Sequence, residues 1–219
     1  MTTEKILSTL TIDSMIGTIN AADGTTLVNS TINGGTGYTS VETNGYKFVL
    51  AANGVLNLKG ENTIQSIEAG AGDTVNVTGT LHFVSGSDGF KLGDGATWNI
   101  NNATIDGAWY LSLDGNYLTD DANAPTSTMN VTNSTLNLNQ ISVKGVKAGQ
   151  KLGYGTFNVN FSGSDINLDN RLQMQEQETA TVNISFTNGS TGDAKQFINL
   201  SSKATVTFDN STANFTQNF

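Results

Sequence analysis

Apolar and polar residues alternate in short runs along the whole chain, and one run returns repeatedly. It reads Thr, apolar, Asn, apolar, or a close variant. The copies are Val55-Leu56-Asn57-Leu58, Thr74-Val75-Asn76-Val77, Thr97-Trp98-Asn99-Ile100, Thr128-Met129-Asn130-Val131, Thr156-Phe157-Asn158-Val159, Thr181-Val182-Asn183-Ile184 and Thr205-Val206-Thr207-Phe208. Their third positions are spaced by 19, 23, 31, 28, 25 and 24 residues. Alternation with period two places the apolar pair on one face of a strand and Thr and Asn on the other. A strand that recurs at such intervals is the mark of a solenoid.

Two further short strands fit between successive tetrads. One follows each tetrad, as in Thr80-Leu81-His82-Phe83, Thr104-Ile105, Thr135-Leu136-Asn137-Leu138 and Ile166-Asn167-Leu168; the other precedes the next, as in Phe48-Val49-Leu50, Phe90-Lys91-Leu92, Leu172-Gln173-Met174 and Phe197-Ile198-Asn199-Leu200. Gly, Asn, Asp and Ser separate them, as tight turns require. The expected fold is all-β: a right-handed parallel β-helix, a three-sided solenoid of about eight coils forming a single domain over residues 1–219. The handedness follows from the general rule for parallel crossovers. Stacking coils should bury Leu56, Val75, Trp98, Met129, Phe157, Val182 and Val206 as one interior column. Asn57, Asn76, Asn99, Asn130, Asn158 and Asn183 should form an external ladder of amides hydrogen-bonded from coil to coil.

The N-terminal 45 residues follow the pattern more loosely. Ile6, Leu7 and Leu10 fit one side of a helix, yet Thr9-Leu10-Thr11-Ile12 matches the tetrad and favours strands. Asn29-Ser30-Thr31-Ile32-Asn33 reads as the second strand of a coil. No polar cap follows Phe215 and Phe219, although solenoid ends need covering. The chain is therefore expected to be a fragment of a larger protein, or to pair with another chain at that end.

Composition narrows the function. Of 219 residues only 13% are charged, 24 are Gly, one is Pro (Pro125) and none is Cys. Continuous ladders tolerate little proline, and a long continuous core needs no disulfide staples. Net charge is −9 with ten scattered basic residues, so no cluster exists to neutralise nucleic-acid phosphates or to dock on anionic lipid. No signal peptide and no apolar run of membrane-spanning length is visible.

The longest interval holds the densest candidate chemistry. Trp109, Tyr110 and Tyr117 accompany Asp114, Asp120 and Asp121 there, and aromatic faces beside carboxylates suit sugar binding. The plainer reading makes Trp109, Leu111 and Leu113 an ordinary third strand. Asp114, Asn116, Asp120 and Asp121 offer hard oxygen ligands for calcium, without EF-hand spacing or the calcium-binding nonapeptide; no cofactor is expected. The single histidine, His82, should point outward between Leu81 and Phe83, with no evident partner. Asp88, Asp94, Asp106, Asp165 and Asp169 invite comparison with the paired carboxylates of glycosidases, and Arg171 is the one arginine available as a lyase base. The Asn-Thr-Asp, Asp-Asp, Gly-His-Gly and Arg-Ile-Lys motifs of polygalacturonases are missing, and no catalytic residue is assigned. Eleven Asn-x-Ser/Thr sequons, Asn29, Asn76, Asn102, Asn130, Asn133 and Asn183 among them, follow from a composition rich in Asn, Ser and Thr.

The Thr-Val-Asn-Val, Asn-Ser-Thr-Leu-Asn-Leu and Thr-Val-Asn-Ile strands, with Gly/Asn/Asp turns, acidity and no cysteine, resemble the β-helical passenger domains of bacterial autotransporter adhesins and related adhesin-like surface proteins. That resemblance implies export to the cell surface and binding of a host surface glycan or protein, or self-association. From the charge, hydropathy and motif readings above, no enzyme activity, no nucleic-acid partner and no membrane insertion by this segment are expected. Phage tail spikes share the architecture and would imply a trimeric binding module. A polysaccharide lyase or hydrolase is the enzymatic alternative.

Overall fold

The computed structural model describes residues 5–15, 18–21, 24–34, 47–50, 53–64, 67–70, 72–84, 90–93, 95–114, 124–143, 155–174, 180–199 and 203–217. All of its regular structure is β, and every strand pairing is parallel, joining each strand to its counterpart one coil on. Strands fall on three walls. Wall A carries the tetrads. Wall B follows it around a tight corner, so that Val55–Ile64, Thr74–Phe83 and Thr97–Asp106 each serve both walls. Wall C comprises Thr18–Ala21, Lys47–Leu50, Ile67–Glu68, Phe90–Gly93, Tyr110–Asp114, residues 140–143 and 171–174, and Gln196–Asn199. The expected three-sided parallel solenoid is the observed one. Lys5–Ser8, Thr11–Met15, Thr18–Ala21, Thr25–Val28 and Thr31–Gly34 are likewise strands, not turns of a helix.

No coil can bury its apolar residues alone, so the core is a set of columns running along the axis. Leu58, Val77, Ile100, Val131, Phe161, Phe186 and Phe208 form one. All but Phe208 are at most 2% exposed, while Phe208 retains 36%. The rings of Phe161, Phe186 and Phe208 lie 4.8 and 4.7 Å apart in turn, within the range of favourable aromatic pairs.

The corner between walls A and B sets the phase of each coil. Thr9, Asn29, Gly60, Gly79, Asn102, Asn133, Gly163, Asn188 and Asn210 occupy it, all with positive φ. This is the left-handed region, open to Gly and tolerated by Asn. The residue after the bend is often Ser, and its hydroxyl lies inside. Ser30, Ser134, Ser164 and Ser190 are at most 5% exposed. Ser134 Oγ accepts the Ala103 N–H at 3.0 Å, Ser164 Oγ that of Ser134 at 3.1 Å, and Ser190 Oγ that of Ser164 at 3.2 Å. The turned backbone presents no carbonyl to these buried N–H groups, and the hydroxyl of the next coil replaces it. Asn-Ser-Thr at 29–31, 133–135 and 210–212 therefore records a corner: Asn for the bend, Ser for the inside, Thr to start wall B. Three of the named sequons, at Asn29, Asn102 and Asn133, are bends of this kind.

Removal of one such hydroxyl strands a buried donor, which costs about 1–3 kcal/mol. Ser134→Ala is expected to lower the urea midpoint accordingly and to speed amide exchange at Ala103. Ser185→Ala, on the outer surface, should change stability by less than about 0.5 kcal/mol.

The corner before wall A has its own clasp. Asp73, 3% exposed, accepts the Gly54 N–H at 3.0 Å and the Gly70 N–H at 2.8 Å, linking two coils through one carboxylate.

Candidate functional site

The amide ladder stands on the outer face of wall A, and the corner decides who belongs to it. Asn57, Asn76, Asn99 and Asn130 each lie three residues before their bend at Gly60, Gly79, Asn102 and Asn133. In the next coil Asn158 lies five residues before Gly163, and Asn160 lies three. Accordingly Asn130 pairs in register with Asn160, and Met129 with Val159, not with Phe157. The expected ladder and the expected interior column both shift by two residues at this step. Phe157 instead sits opposite Ser127, followed by Val182 and Ala204. In the tetrad register Phe161 would fall at the bend; in the observed one it is fully buried.

The main ladder thus runs through Asn57, Asn76, Asn99, Asn130, Asn160 and Ser185. Asn76 Nδ2 donates to Asn57 Oδ1 at 2.9 Å, Asn99 to Asn76 at 3.0 Å, Asn130 to Asn99 at 3.1 Å and Asn160 to Asn130 at 3.0 Å. Ser185 Oγ closes it on Asn160 Oδ1 at 3.0 Å. Asn158 and Asn183 start a second, adjacent ladder, joined at 3.0 Å. The signal that would have placed Asn160 and Ser185 was present in the chain, as the distance to the bend, but the tetrad's own spacing hid it.

Between Thr74 and Thr187 the wall A face around these amides bears no charged side chain. From Thr74 to Thr187 the outward residues of wall A are Thr74, Asn76 and Thr78, then Thr97, Asn99 and Asn101, then Thr126, Thr128, Asn130 and Thr132, then Thr156, Asn158, Asn160 and Ser162, then Thr181, Asn183, Ser185 and Thr187. All are at least partly exposed, whereas the alternate residues are buried. Lys59, opposite Thr78, marks one end of the uncharged stretch.

Wall B collects the charge. Glu61, His82, Asp106, Asp165 and Asp193 all face outward there. His82 is exposed as expected but has a partner: its Nδ1 meets Asp106 Oδ1 one coil on. Asp165 accepts from Thr191 Oγ1 at 2.7 Å, and Asp193 accepts from Asn214 Nδ2 at 2.7 Å. The coil of Thr135 and Asn137 separates Asp106 from Asp165, so these two acids form no catalytic pair. Arg171 lies on wall C, where its Nε donates to Gln140 Oε1 at 3.2 Å. Asp88 and Asp94 lie outside the described residues.

Of the residues singled out in the longest interval, Trp109 and Tyr110 are described. Trp109 is 52% exposed at the corner into wall C, with its ring set edge-on to Tyr110 at 6.2 Å. Leu111 and Leu113 are buried strand residues, and Trp109 does not share their face, because the chain bends between Ala108 and Tyr110. The Asp114 side chain and Asn116, Tyr117, Asp120 and Asp121 lie outside the described residues. Among the described residues no group of three or more His, Asp or Glu is placed to hold a metal ion, and no helix is long and apolar enough to cross a membrane.

No family model, no curated protein and no solved structure matches this chain.

Proposed function

We propose that this chain is an adhesin-type β-helix, exposed on a cell surface or secreted, whose wall A binds another surface. The observation that carries the reading is the uncharged Thr/Asn/Ser face with its amides locked by ladder bonds. A long row of identical, pre-set hydrogen-bonding groups suits attachment over an extended contact, because little side-chain freedom remains to be lost on binding. Catalysis needs the opposite arrangement, a few groups of unlike character converging on one point. The acids of wall B and Arg171 of wall C stand on different walls, which supports binding over a lyase or hydrolase.

The test is retention of the labelled protein on arrayed glycans and on protein-coated surfaces. The expected result is retention that falls about tenfold when Asn99→Lys and Asn130→Lys place unpaired charges in the contact. Asn167→Lys on wall B should leave it unchanged. Equal retention by both variants, or none by the parent chain on any surface, would sink the reading.

A further inference from the structure

The geometry points to the wall A face from Thr74 to Thr187 as the binding site of a neutral, extended polysaccharide lying along the solenoid axis. The inference rests on the surface-binding reading above and narrows it to a ligand class and a direction.

Charge selects the class. The chain carries a net charge of −9, and among the eighteen outward residues of this stretch no Lys or Arg stands ready to pair an anion. A uronic, sulfated or sialylated glycan would meet a repelling field and no counter-charge. A protein partner fits no better. Stable protein contacts are anchored by buried Trp, Tyr, Arg or Met, and the aromatic residues of this wall point inward, with Trp98, Phe157, Phe161 and Phe186 all at most 2% exposed.

Hydrogen bonding selects the same class. An Asn amide has two donors and two acceptor sites. Each central ladder amide uses one donor toward the coil before and one acceptor toward the coil after. One N–H and one lone pair per amide remain, flanked by Thr and Ser hydroxyls. A sugar hydroxyl both donates and accepts, so it pairs with such a set without any charge. With no ring to stack on, a single sugar is held weakly against competing water.

Repetition supplies the direction. The same groups recur only along the axis, at the strand spacing of about 4.8 Å, while the face is three or four residues wide. A chain of like sugars laid along the axis meets an equivalent set of groups at each coil. Its contacts then add as linked sites do, with later ones formed at high effective concentration.

The experiment is calorimetric titration of the full chain with unsubstituted glucan and mannan oligosaccharides, from disaccharide to hexasaccharide, beside polygalacturonate, heparin and a gelatin-coated surface. The expected result is binding of a neutral series, tightening about tenfold or more with length and insensitive to added sodium chloride. The Thr97→Lys/Thr128→Lys variant, shown by its melting curve to be folded, should lose about tenfold on the neutral ligand and gain on the acidic ones. Preference of the parent chain for polygalacturonate, heparin or gelatin overturns the inference and leaves the surface-binding reading standing. Affinity that is already complete at the disaccharide overturns it too, since the contact would then be a point. Binding to none of these probes or to any arrayed surface overturns both.

Discussion

Trp98→Ala is expected to cost about 3–5 kcal/mol, the range for deleting a large buried aromatic side chain. Trp98 is fully buried and stands in the interior column between Val75 and Met129. Its loss opens a void with coils above and below it, and neither can close the gap without breaking its own parallel ladder. Urea denaturation measures the cost directly. Trp109→Ala provides the comparison, because a side chain 52% exposed should change the midpoint by no more than about 0.5 kcal/mol. Equal effects from the two tryptophans would mean that the columns have been assigned to the wrong residues.

Gly79→Ala is expected to cost on the order of 4 kcal/mol, combining an unfavourable backbone with overpacking. Gly79 holds φ at 103°, where an L side chain is strained, and a Cβ there would overlap the carbonyl of Gly60 in the coil before. That obstacle is backbone and cannot turn aside. Two other glycines with φ of 72° calibrate the effect. A Cβ at Gly24 meets nothing within 4 Å, and one at Gly60 meets the Asn29 side chain, which can move. The order of destabilisation should therefore be Gly24→Ala, then Gly60→Ala, then Gly79→Ala, with the first near 1–2 kcal/mol. Thermal melts of the three variants test it; a Gly79→Ala protein as stable as Gly24→Ala would show that the corners are not stacked this closely.

The two substitutions strike different features of the fold. Trp98 tests the columns that make a coil worth stacking, and Gly79 tests the corner that makes coils stack in phase. The proposed binding face depends on both, since its amides align only if the corners align.

Strand period, coil architecture and the identity of one face were readable in the chain alone. Alternation in Thr74-Val75-Asn76-Val77 and its relatives reports which side of a strand is buried, and recurrence reports that buried sides must stack, because no single coil has a core. The sequence also states that the outward positions of the tetrad strands from Thr74 to Thr187 are uncharged, on which the proposed binding face rests. Register was decided elsewhere. A tetrad matches its neighbours equally well in steps of two residues, since such a step keeps every side chain on its face. Only the left-handed corner breaks that tie, by requiring Gly163 to lie beside Asn133, and so Asn160 beside Asn130. The partnership of His82 with Asp106 and the buried row of Ser134, Ser164 and Ser190 were equally invisible along the chain. Each is a contact between residues more than twenty positions apart, joined by loops of unequal length. Local patterning determines which residues face in and which face out; the packing of one corner on the next decides which of them meet.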